Sequence, residues 1–216
     1  MAWMPTPQRA RLTQFAAQAC NLKPLLTASG LSLQLPGGQI LRELNFEIPA
    51  GISLVKGGEG SGKTSLLRVL AGKIAPISGA LCHGTSSVFW ADPKSEAFDA
   101  LTYRQYFELL VQQHPAFDIT IAMDLAGILS LDDHLNKTLG MLSTGSKRKV
   151  WLAAGFASKA TITLMDMPFA ALDARSVNTV CRLLEEASTH PTRAWVLADY
   201  EPPAGVTLAG VIDLGD

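Results

Sequence analysis

The stretch Gly57-Gly58-Glu59-Gly60-Ser61-Gly62-Lys63-Thr64 decides the fold, because it matches the pattern G-x-x-x-x-G-K-[ST] at every fixed position. It follows a short apolar segment, residues 52–55, and opens a helix predicted over residues 63–71. Glycines let consecutive backbone N–H groups converge on an anion, and the helix N-terminus adds the positive end of its dipole. This context favours a phosphate-binding loop over a glycine-rich turn ahead of a helix.

The ligand expected at this stretch is the triphosphate of a nucleotide, with ATP as the expected nucleotide, together with Mg²⁺, and two side chains at its end have the chemistry for the phosphates and the metal. Lys63 brings a mobile positive charge to the β- and γ-phosphates, and the Thr64 hydroxyl is a ligand for the metal. A second metal partner is expected at the end of another buried strand, where Asp166 follows the apolar residues 161–165; the alternative is that Asp166 only caps that strand. The predicted nucleotide-binding residues of the loop are Gly57, Gly58, Glu59, Gly60, Ser61, Gly62, Lys63, Thr64 and Ser65.

Apolar periodicity around the loop predicts an α/β fold with a mostly parallel sheet. Residues 25–35 and 40–48 are expected to be strands that end at Pro-Gly and Pro-Ala-Gly turns, which gives the chain an antiparallel start. Strands and helices then alternate, as in a parallel core sheet. The later strands are predicted over residues 52–55, 87–90, 161–165, 194–198 and 206–214, and the helices over 63–71, 101–113, 119–130, 145–158 and 174–188.

The domain organisation follows from the same patterns. Residues 93–142 carry helical but no strand periodicity, so they are expected to form a helical subdomain inserted into a nucleotide-binding domain of residues 23–216. Residues 1–22 are expected to be a frayed extension, with a short amphipathic helix over residues 8–19 as the alternative.

Composition excludes several classes of protein. A formal net charge of −1 gives no general attraction to nucleic acid or anionic lipid. Three cysteines without a C-x-x-C motif argue against a disulfide framework or a zinc site and fit a reducing compartment. No apolar run approaches the roughly 20 residues that cross a bilayer, so membrane association is expected to come through a partner.

Two further segments follow the loop in a fixed order. Leu142-Ser143-Thr144-Gly145-Ser146 opens a predicted helix, and Asp166-Met167-Pro168-Phe169-Ala170-Ala171-Leu172-Asp173 begins at the end of a predicted strand. With the glycine-rich stretch, they resemble the P-loop, signature sequence, second acidic motif and D-loop of an ATP-binding cassette (ABC) ATPase. The resemblance runs from about residue 25 to residue 199, and the length and motifs are most similar to the small stand-alone cassettes of haem-export systems in cytochrome c maturation.

The resemblance implies the ATP-binding subunit of a membrane transporter, which couples ATP binding, with or without hydrolysis, to the movement of separate transmembrane permease subunits. It also implies a cytoplasmic protein, peripheral at the inner face of the membrane, and a dimer of like or unlike cassettes. In such a dimer Ser143 and the backbone N–H of Gly145 are expected to contact the γ-phosphate bound by the other cassette, with Asp173 at the interface. From the residues alone, Ser143 is as readily explained as the N-cap of a helix.

Several positions depart from the family pattern, and they bear on catalysis. Met167 replaces the glutamate that follows the magnesium-linked aspartate, and a thioether cannot act as a base. Asp199 takes the place expected for the switch histidine, Asp92 is the nearest polar residue to the missing glutamine, and Leu35 or Pro36 replaces the aromatic residue that stacks on adenine. We therefore predict catalytic roles for Lys63 and, as a hypothesis, for Asp199 as the missing carboxylate, the alternative being that Asp199 only starts a turn.

These departures leave a second function open, namely an ATP-binding regulatory module that dimerises but hydrolyses little. A P-loop kinase is a third option, which the signature and D-loop segments disfavour. The basic run 147–149 is predicted to be the solvated start of the signature helix, with contact to phosphate or nucleic acid as the alternative. Phe107, Leu109 and Leu110 are predicted to pack inside the helical subdomain, with a groove for a membrane partner as the alternative.

Overall fold

A computed structural model describes residues 24–35, 38 and 40–215 of the chain, so the expected extension at residues 1–22 and Pro36 lie outside the described residues. The main sheet has five parallel strands in the order β5-β6-β7-β3-β8, which confirms the predicted parallel core. Because all five run in the same direction, their carboxyl ends meet at one edge. The strands are Gly51–Lys56 (β3), Val88–Trp90 (β5), Ile162–Asp166 (β6), Ala194–Asp199 (β7) and Leu208–Asp213 (β8).

A second, antiparallel sheet confirms the predicted antiparallel start. It has the order β2-β1-β4, and its strands are Leu26–Gln34 (β1), Ile40–Ile48 (β2) and Ser78–Cys82 (β4). β4 was not predicted. Four of its five residues are exposed, so it lacks the alternation of apolar and polar residues by which a half-buried strand is recognised.

Among the described residues, five α-helices accompany the sheets: Lys63–Leu70 (α1), Tyr103–Gln113 (α2), Ile119–Ile128 (α3), Thr144–Ala157 (α4) and Ala174–Ala187 (α5). The sequence supplies side-chain caps for α2 and α3, since Thr102 forms a capping box with Gln105 and Asp118 accepts N–H groups of α3, whereas Gly62 before α1 makes no such bond. None of the helices in the described part of the chain is long and apolar enough to cross a bilayer.

The predicted helical stretch contains α2, α3 and two 3₁₀ turns, at Asp132–His134 and Leu139–Met141. Its apolar side chains form a cluster of their own with α4, centred on Tyr106, Phe107 and Trp151. Phe107 and Leu110 are buried in this cluster, which confirms the packing role predicted for them, whereas Leu109 is half-buried and is not part of the cluster.

A separate cluster joins α1 to the two sheets. Leu66 and Leu67 are fully buried against Val55 of β3 and Val196 of β7. This packing fixes the beginning of α1, and with it the preceding loop, at the carboxyl edge of the parallel sheet.

Candidate functional site

The carboxyl ends of β3, β6 and β7 bring the predicted site residues together. β7 lies between the other two strands, and the register pairs Lys56 with Asp199 and Asp166 with Ala198. The glycine loop, which we define as residues 57–64, leaves β3 at this edge. A cleft of about 470 Å³ opens beside it, lined by Glu59, Gly60, Gly62, Lys63, Thr64, Ser65, Arg68, Pro93, Lys94, Arg148, Asp166, Met167 and Tyr200.

The glycine loop has a backbone that only glycine adopts without strain. Gly60 and Gly62 have φ values of 77° and 98°, and Gly62 directly precedes α1. A Cβ atom on Gly62 would lie 2.8 Å from Leu35 Cδ2 and 2.9 Å from Leu41 Cδ1, so a larger residue would displace the loop. The position therefore requires glycine both for its backbone conformation and for its packing.

Lys63 is buried at the start of α1 and points back into the loop. Its Nζ donates to the carbonyl oxygens of Gly57, at 2.7 Å, and Gly58, at 2.6 Å, and lies 4.3 Å from the centroid of the Tyr200 ring. Burial lowers the pKa of Lys63, while the charges of Asp199, Asp166 and Glu59 act in the opposite direction. The ammonium group is thus held inside the loop, where an anionic ligand would meet it.

Thr64 and Asp166 come together although 102 residues separate them in the sequence. Thr64 Oγ1 donates to Asp166 Oδ2 at 2.8 Å, and Asp166 is only 8% exposed. Burial raises the pKa of Asp166, and the Thr64 hydrogen bond opposes that shift. The other carboxylate oxygen, Oδ1, is buried without a hydrogen-bond partner in the described part of the molecule. A hydroxyl and a carboxylate with an unused buried oxygen form a donor set that fits Mg²⁺ beside a phosphate.

Met167 lies directly after this carboxylate in a left-handed backbone conformation, with φ of 49°. Its N–H donates to Ala198 O at 2.9 Å, and its carbonyl accepts a hydrogen bond from Arg148 Nη1. The main chain of Met167 is therefore fixed at the end of the sheet, and its side chain brings no ionisable group to the cleft.

Asp199 ends β7 and is half-buried on the same edge. Its Oδ1 accepts the N–H of Tyr200 at 2.8 Å. Burial raises the pKa of Asp199, whereas the Tyr200 hydrogen bond and the charges of Lys63 and Arg148 lower it. A carboxylate with a raised pKa beside a lysine is an arrangement typical of groups that exchange protons.

The basic run 147–149 contradicts the prediction of a solvated helix start. Lys147 is paired with Asp99, and Lys149 Nζ contacts Asp173 Oδ2 at 2.8 Å; the two lysine side chains are only 16% and 12% exposed. Arg148 reaches the carbonyl of Met167 and lines the cleft. The prediction was wrong because the opposite charges that bind these side chains come from distant parts of the sequence.

Ser143 and Gly145 do not line the cleft of their own chain. Ser143 is exposed and caps α4, since its Oγ accepts the N–H of Ser146 at 3.1 Å. Gly145 lies against the loop that follows Asp166, because a Cβ atom on it would lie 2.3 Å from the Ala171 carbonyl oxygen. The cap that the residues alone suggested for Ser143 is present.

Asp173 begins α5 and is exposed. It accepts hydrogen bonds from the Ser176 N–H, the Ser176 hydroxyl and Lys149. These bonds, with that of Lys149 first, hold the pKa of Asp173 well below its ordinary range. Asp92, the candidate for the missing glutamine, is linked to Arg68 Nη2 at 3.4 Å.

Sequence reasoning did not predict five residues that line the cleft, namely Arg68, Pro93, Lys94, Arg148 and Tyr200. Tyr200 directly follows Asp199, so the turn after β7 brings a carboxylate and an aromatic ring to Lys63 together. The sequence signal for Tyr200 was its position beside a predicted site residue at a strand end. The signal for Arg148 was the basic run 147–149, for which phosphate contact was the alternative and a solvated helix start was preferred.

Comparison with known proteins places this geometry in a family. The family model described as ABC transporter matches residues 41–170. The cytochrome c biogenesis ATP-binding export protein CcmA of Legionella pneumophila is 32% identical to the chain over 160 residues, which cover 68% of this chain and 78% of the relative.

Solved structures share the fold. An ABC transporter ATP-binding protein from Pyrococcus furiosus superimposes with a TM-score of 0.71 at 21% sequence identity, covering 88% of this chain and 96% of that chain. A dimeric ATP-binding cassette bound to ADP and Pi, in a post-hydrolysis state, gives a TM-score of 0.68 at 18% identity, covering 82% and 88% of the two chains.

Proposed function

The chain belongs to the ABC transporter family, and we propose that it is an ATP-binding subunit whose Mg-ATP-dependent dimer closure moves separate transmembrane partners. The observation that carries the proposal is the hydrogen bond of 2.8 Å between Thr64 Oγ1 and Asp166 Oδ2, beside the buried ammonium group of Lys63. A magnesium ion would also give a partner to the second oxygen of Asp166, which is buried without a hydrogen bond among the described residues and is costly to the fold in that state.

The magnesium ion and the phosphates of Mg-ATP each have a counterpart in this cleft. Thr64 and Asp166 would hold the magnesium ion, and Lys63 would meet the phosphates, whose remaining charge is matched by backbone N–H groups of the glycine loop and by the N-terminus of α1. The metal supplies charge neutralisation between the β- and γ-phosphates when it is bound. The proposed backbone contacts come from Gly57, Gly58, Glu59, Gly60, Ser61, Gly62 and Ser65.

The placement of Ser143 and Gly145 supports a dimer. Both residues sit at the exposed N-terminus of α4, where Ser143 and the N–H of Gly145 are available to a second molecule. A helix N-terminus with small residues attracts a phosphate and leaves room for it. We assign these residues to the γ-phosphate bound by a facing cassette, and Asp173 to the same interface.

A groove between the sheet and the helical subdomain supports a membrane partner. It has a volume of about 590 Å³ and runs between the end of α1 and α2. Its lining combines the apolar side chains of Ile74, Phe98 and Leu110 with the cationic group of Lys73. Ile74 is 39% exposed, so an apolar side chain is available to a helix of a transmembrane subunit. Docking there would keep the chain at the inner face of the membrane.

Met167 favours a second candidate, a regulatory ATP-binding module that hydrolyses little. Its thioether cannot take a proton from water, and loss of a general base costs roughly 10²–10⁴ in rate. Asp199 is a half-buried carboxylate at the end of β7, near Lys63, and the transporter proposal assigns it the base role.

One experiment separates the two candidates. The chain is purified alone and with the membrane protein that co-purifies with it, and ATP turnover is measured for both preparations beside the Lys63→Ala variant. The transporter proposal predicts turnover that the complex stimulates and that Lys63→Ala abolishes. Tight Mg-ATP binding without turnover in either preparation would favour the regulatory module instead.

A further inference from the structure

We propose that Arg148 binds the terminal phosphate of ATP within its own chain and gives the cleft its preference for ATP over ADP. The inference rests on the proposed function and adds a residue to it. Arg148 stands in the second turn of α4, yet it lines the same cleft as Lys63, Thr64 and Asp166.

The guanidinium group of Arg148 is anchored on one side only. Its Nη1 donates to the carbonyl oxygen of Met167, and its Nε is buried without a hydrogen-bond partner in the described part of the chain. A guanidinium presents five N–H donors in a rigid fork, which matches the oxygens of a phosphate. The anchor thus holds the fork at the cleft while it leaves other donors for a ligand.

Both sequence neighbours of Arg148 have a carboxylate partner, whereas Arg148 has none among the described residues. Lys147 forms an ion pair with Asp99, and Lys149 forms one with Asp173. Over the described residues, Arg148 forms no ion pair within 4.0 Å. Of three consecutive cations, the one that faces the cleft keeps its charge available.

The local charges favour an anion beside Arg148. Burial lowers the pKa of the Arg148 guanidinium, which means that its charge is poorly solvated, and the more distant charges of Asp166 and Asp199 only partly compensate. An incoming phosphate oxygen would replace the missing solvation with a charge-assisted hydrogen bond. The guanidinium remains charged throughout, because its ordinary pKa is far above neutral.

The position of Arg148 indicates which phosphate it contacts. Lys63 and Arg148 both line the cleft, together with Thr64 and Asp166. Thr64 and Asp166 would hold the magnesium ion, which would neutralise charge on the phosphates beside it. Arg148 is anchored through the carbonyl of Met167, the residue directly after Asp166. Its proposed ligand is therefore a phosphate beside the magnesium site, and the terminal one is the phosphate that ATP has and ADP lacks.

The test measures binding of Mg-ATP and of Mg-ADP by calorimetry with the full chain. We expect Arg148→Gln to weaken Mg-ATP binding by about tenfold or more, the scale of one charge-assisted hydrogen bond, and to leave Mg-ADP binding within about twofold. Arg148→Lys keeps the charge but loses the fork, so it should recover only part of the loss. Lys149→Gln, which removes the neighbouring cation, should leave the ratio of the two affinities unchanged.

The outcomes distinguish this inference from the function on which it rests. If the folded wild-type chain binds neither nucleotide, the proposed function fails and the role of Arg148 with it. The wild type could bind both nucleotides while Arg148→Gln and Arg148→Lys weaken the binding of Mg-ATP and of Mg-ADP by the same factor, or weaken neither. Arg148 would then only support the main chain at Met167, and the proposal would be wrong. Should Arg148→Gln fail to melt cooperatively, the affinity ratio of Arg148→Lys decides, and a ratio like that of the wild type overturns the proposal.

Discussion

Met167 and Asp199 together determine what the cleft does with a bound nucleotide. The first residue stands where a base would act and has no ionisable group, and the second is a half-buried carboxylate near Lys63. Because burial raises the pKa of Asp199, its ionisation in the folded chain is shifted to higher pH than that of an ordinary aspartate. A carboxylate must be ionised to act as a general base, so the rate of ATP hydrolysis is expected to rise with pH.

The rate of ATP turnover should depend on both Asp199 and Met167. ATP turnover by the wild-type chain should increase as the pH rises through the raised pKa of Asp199 and then level off, and Asp199→Asn should remove the step. Met167→Glu should raise turnover by roughly 10²-fold, because a positioned general base contributes about 10²–10⁴. Phosphate release measured across the pH range checks both effects.

Met167→Gln is the matched control, since it has nearly the same shape as the glutamate variant and meets the same backbone strain at φ of 49°. A glutamate variant no faster than the glutamine variant would show that no water is positioned beside residue 167. A pH profile unchanged by Asp199→Asn would leave Asp199 as the start of a turn only.

At the scale of single residues, the sequence predicted the site residues that lie in a continuous motif or at the end of a recognisable strand. The glycine loop, Lys63 and Thr64 form one continuous motif, and Asp166 ends an apolar strand. The basic run 147–149 was judged solvated, because the groups that contact it lie elsewhere in the sequence: Arg148 reaches the carbonyl of Met167 after β6, and the two lysines reach Asp99 and Asp173. Which of the three cations faces the cleft could therefore not be predicted from the sequence.

At the scale of elements, α4 connects the cleft with the proposed dimer interface. Its N-terminus carries the Ser143 cap, its second turn carries Arg148, and its later residues pack in the apolar cluster of Trp151. The hydroxyl group of Ser143 therefore caps α4 and is also the group proposed to contact the phosphate of a facing cassette. Substitutions can separate these two roles.

Ser143→Ala should lower the free energy of unfolding by about 1 kcal/mol, because it removes the N-cap. Ser143→Asp should restore the cap and keep that stability, since an acidic side chain is favourable at a helix N-terminus. The aspartate should nevertheless abolish Mg-ATP-dependent dimerisation, because its charge would repel the phosphate bound by the facing chain. Thermal unfolding and light scattering after gel filtration measure the two effects.

Thr102→Ala serves as the control for a lost cap, since Thr102 caps α2 and has no assigned place at the interface. It should cost a similar free energy of unfolding and leave dimerisation unchanged. If the Ser143→Asp chain dimerises as readily as the wild type, Ser143 is only a cap.

Strands and helices were predicted correctly where burial leaves a recognisable pattern of apolar residues in the sequence, and they were missed where it does not. β6 is buried at all five positions and stood out as an apolar run, and α5 has one buried face formed by Ser176, Val180, Leu184 and Ala187. β4 is mostly exposed, and its pairing with β1 is a long-range contact that no local pattern reports.

At the scale of the whole molecule, two of the three apolar clusters of the described residues position the elements around the cleft. One packs α1, and with it the glycine loop, on the parallel sheet, and another holds α2 and α3 against α4. Their positions place the cleft and the groove of the proposed membrane partner on either side of Arg68, which lines both. The family resemblance implied a nucleotide site and a permease partner but not the placement of the cleft and the groove, and composition and charge only excluded other classes of protein.

Mg-ATP should stabilise the whole molecule, because a ligand that binds only the folded chain shifts the unfolding equilibrium by mass action. At a ligand concentration about one hundred times the dissociation constant, the gain is roughly 2.7 kcal/mol. Lys63→Ala should lose most of this gain while its unfolding without nucleotide remains cooperative.

The most direct test of the central claim is calorimetric titration of the purified chain with Mg-ATP, beside Lys63→Ala. We predict saturable binding at one site per chain, weakened at least about tenfold by the substitution, since Lys63 contributes a buried positive charge to the phosphates. A folded wild-type chain that binds no Mg-ATP, or one whose affinity is the same without the lysine, would contradict the account.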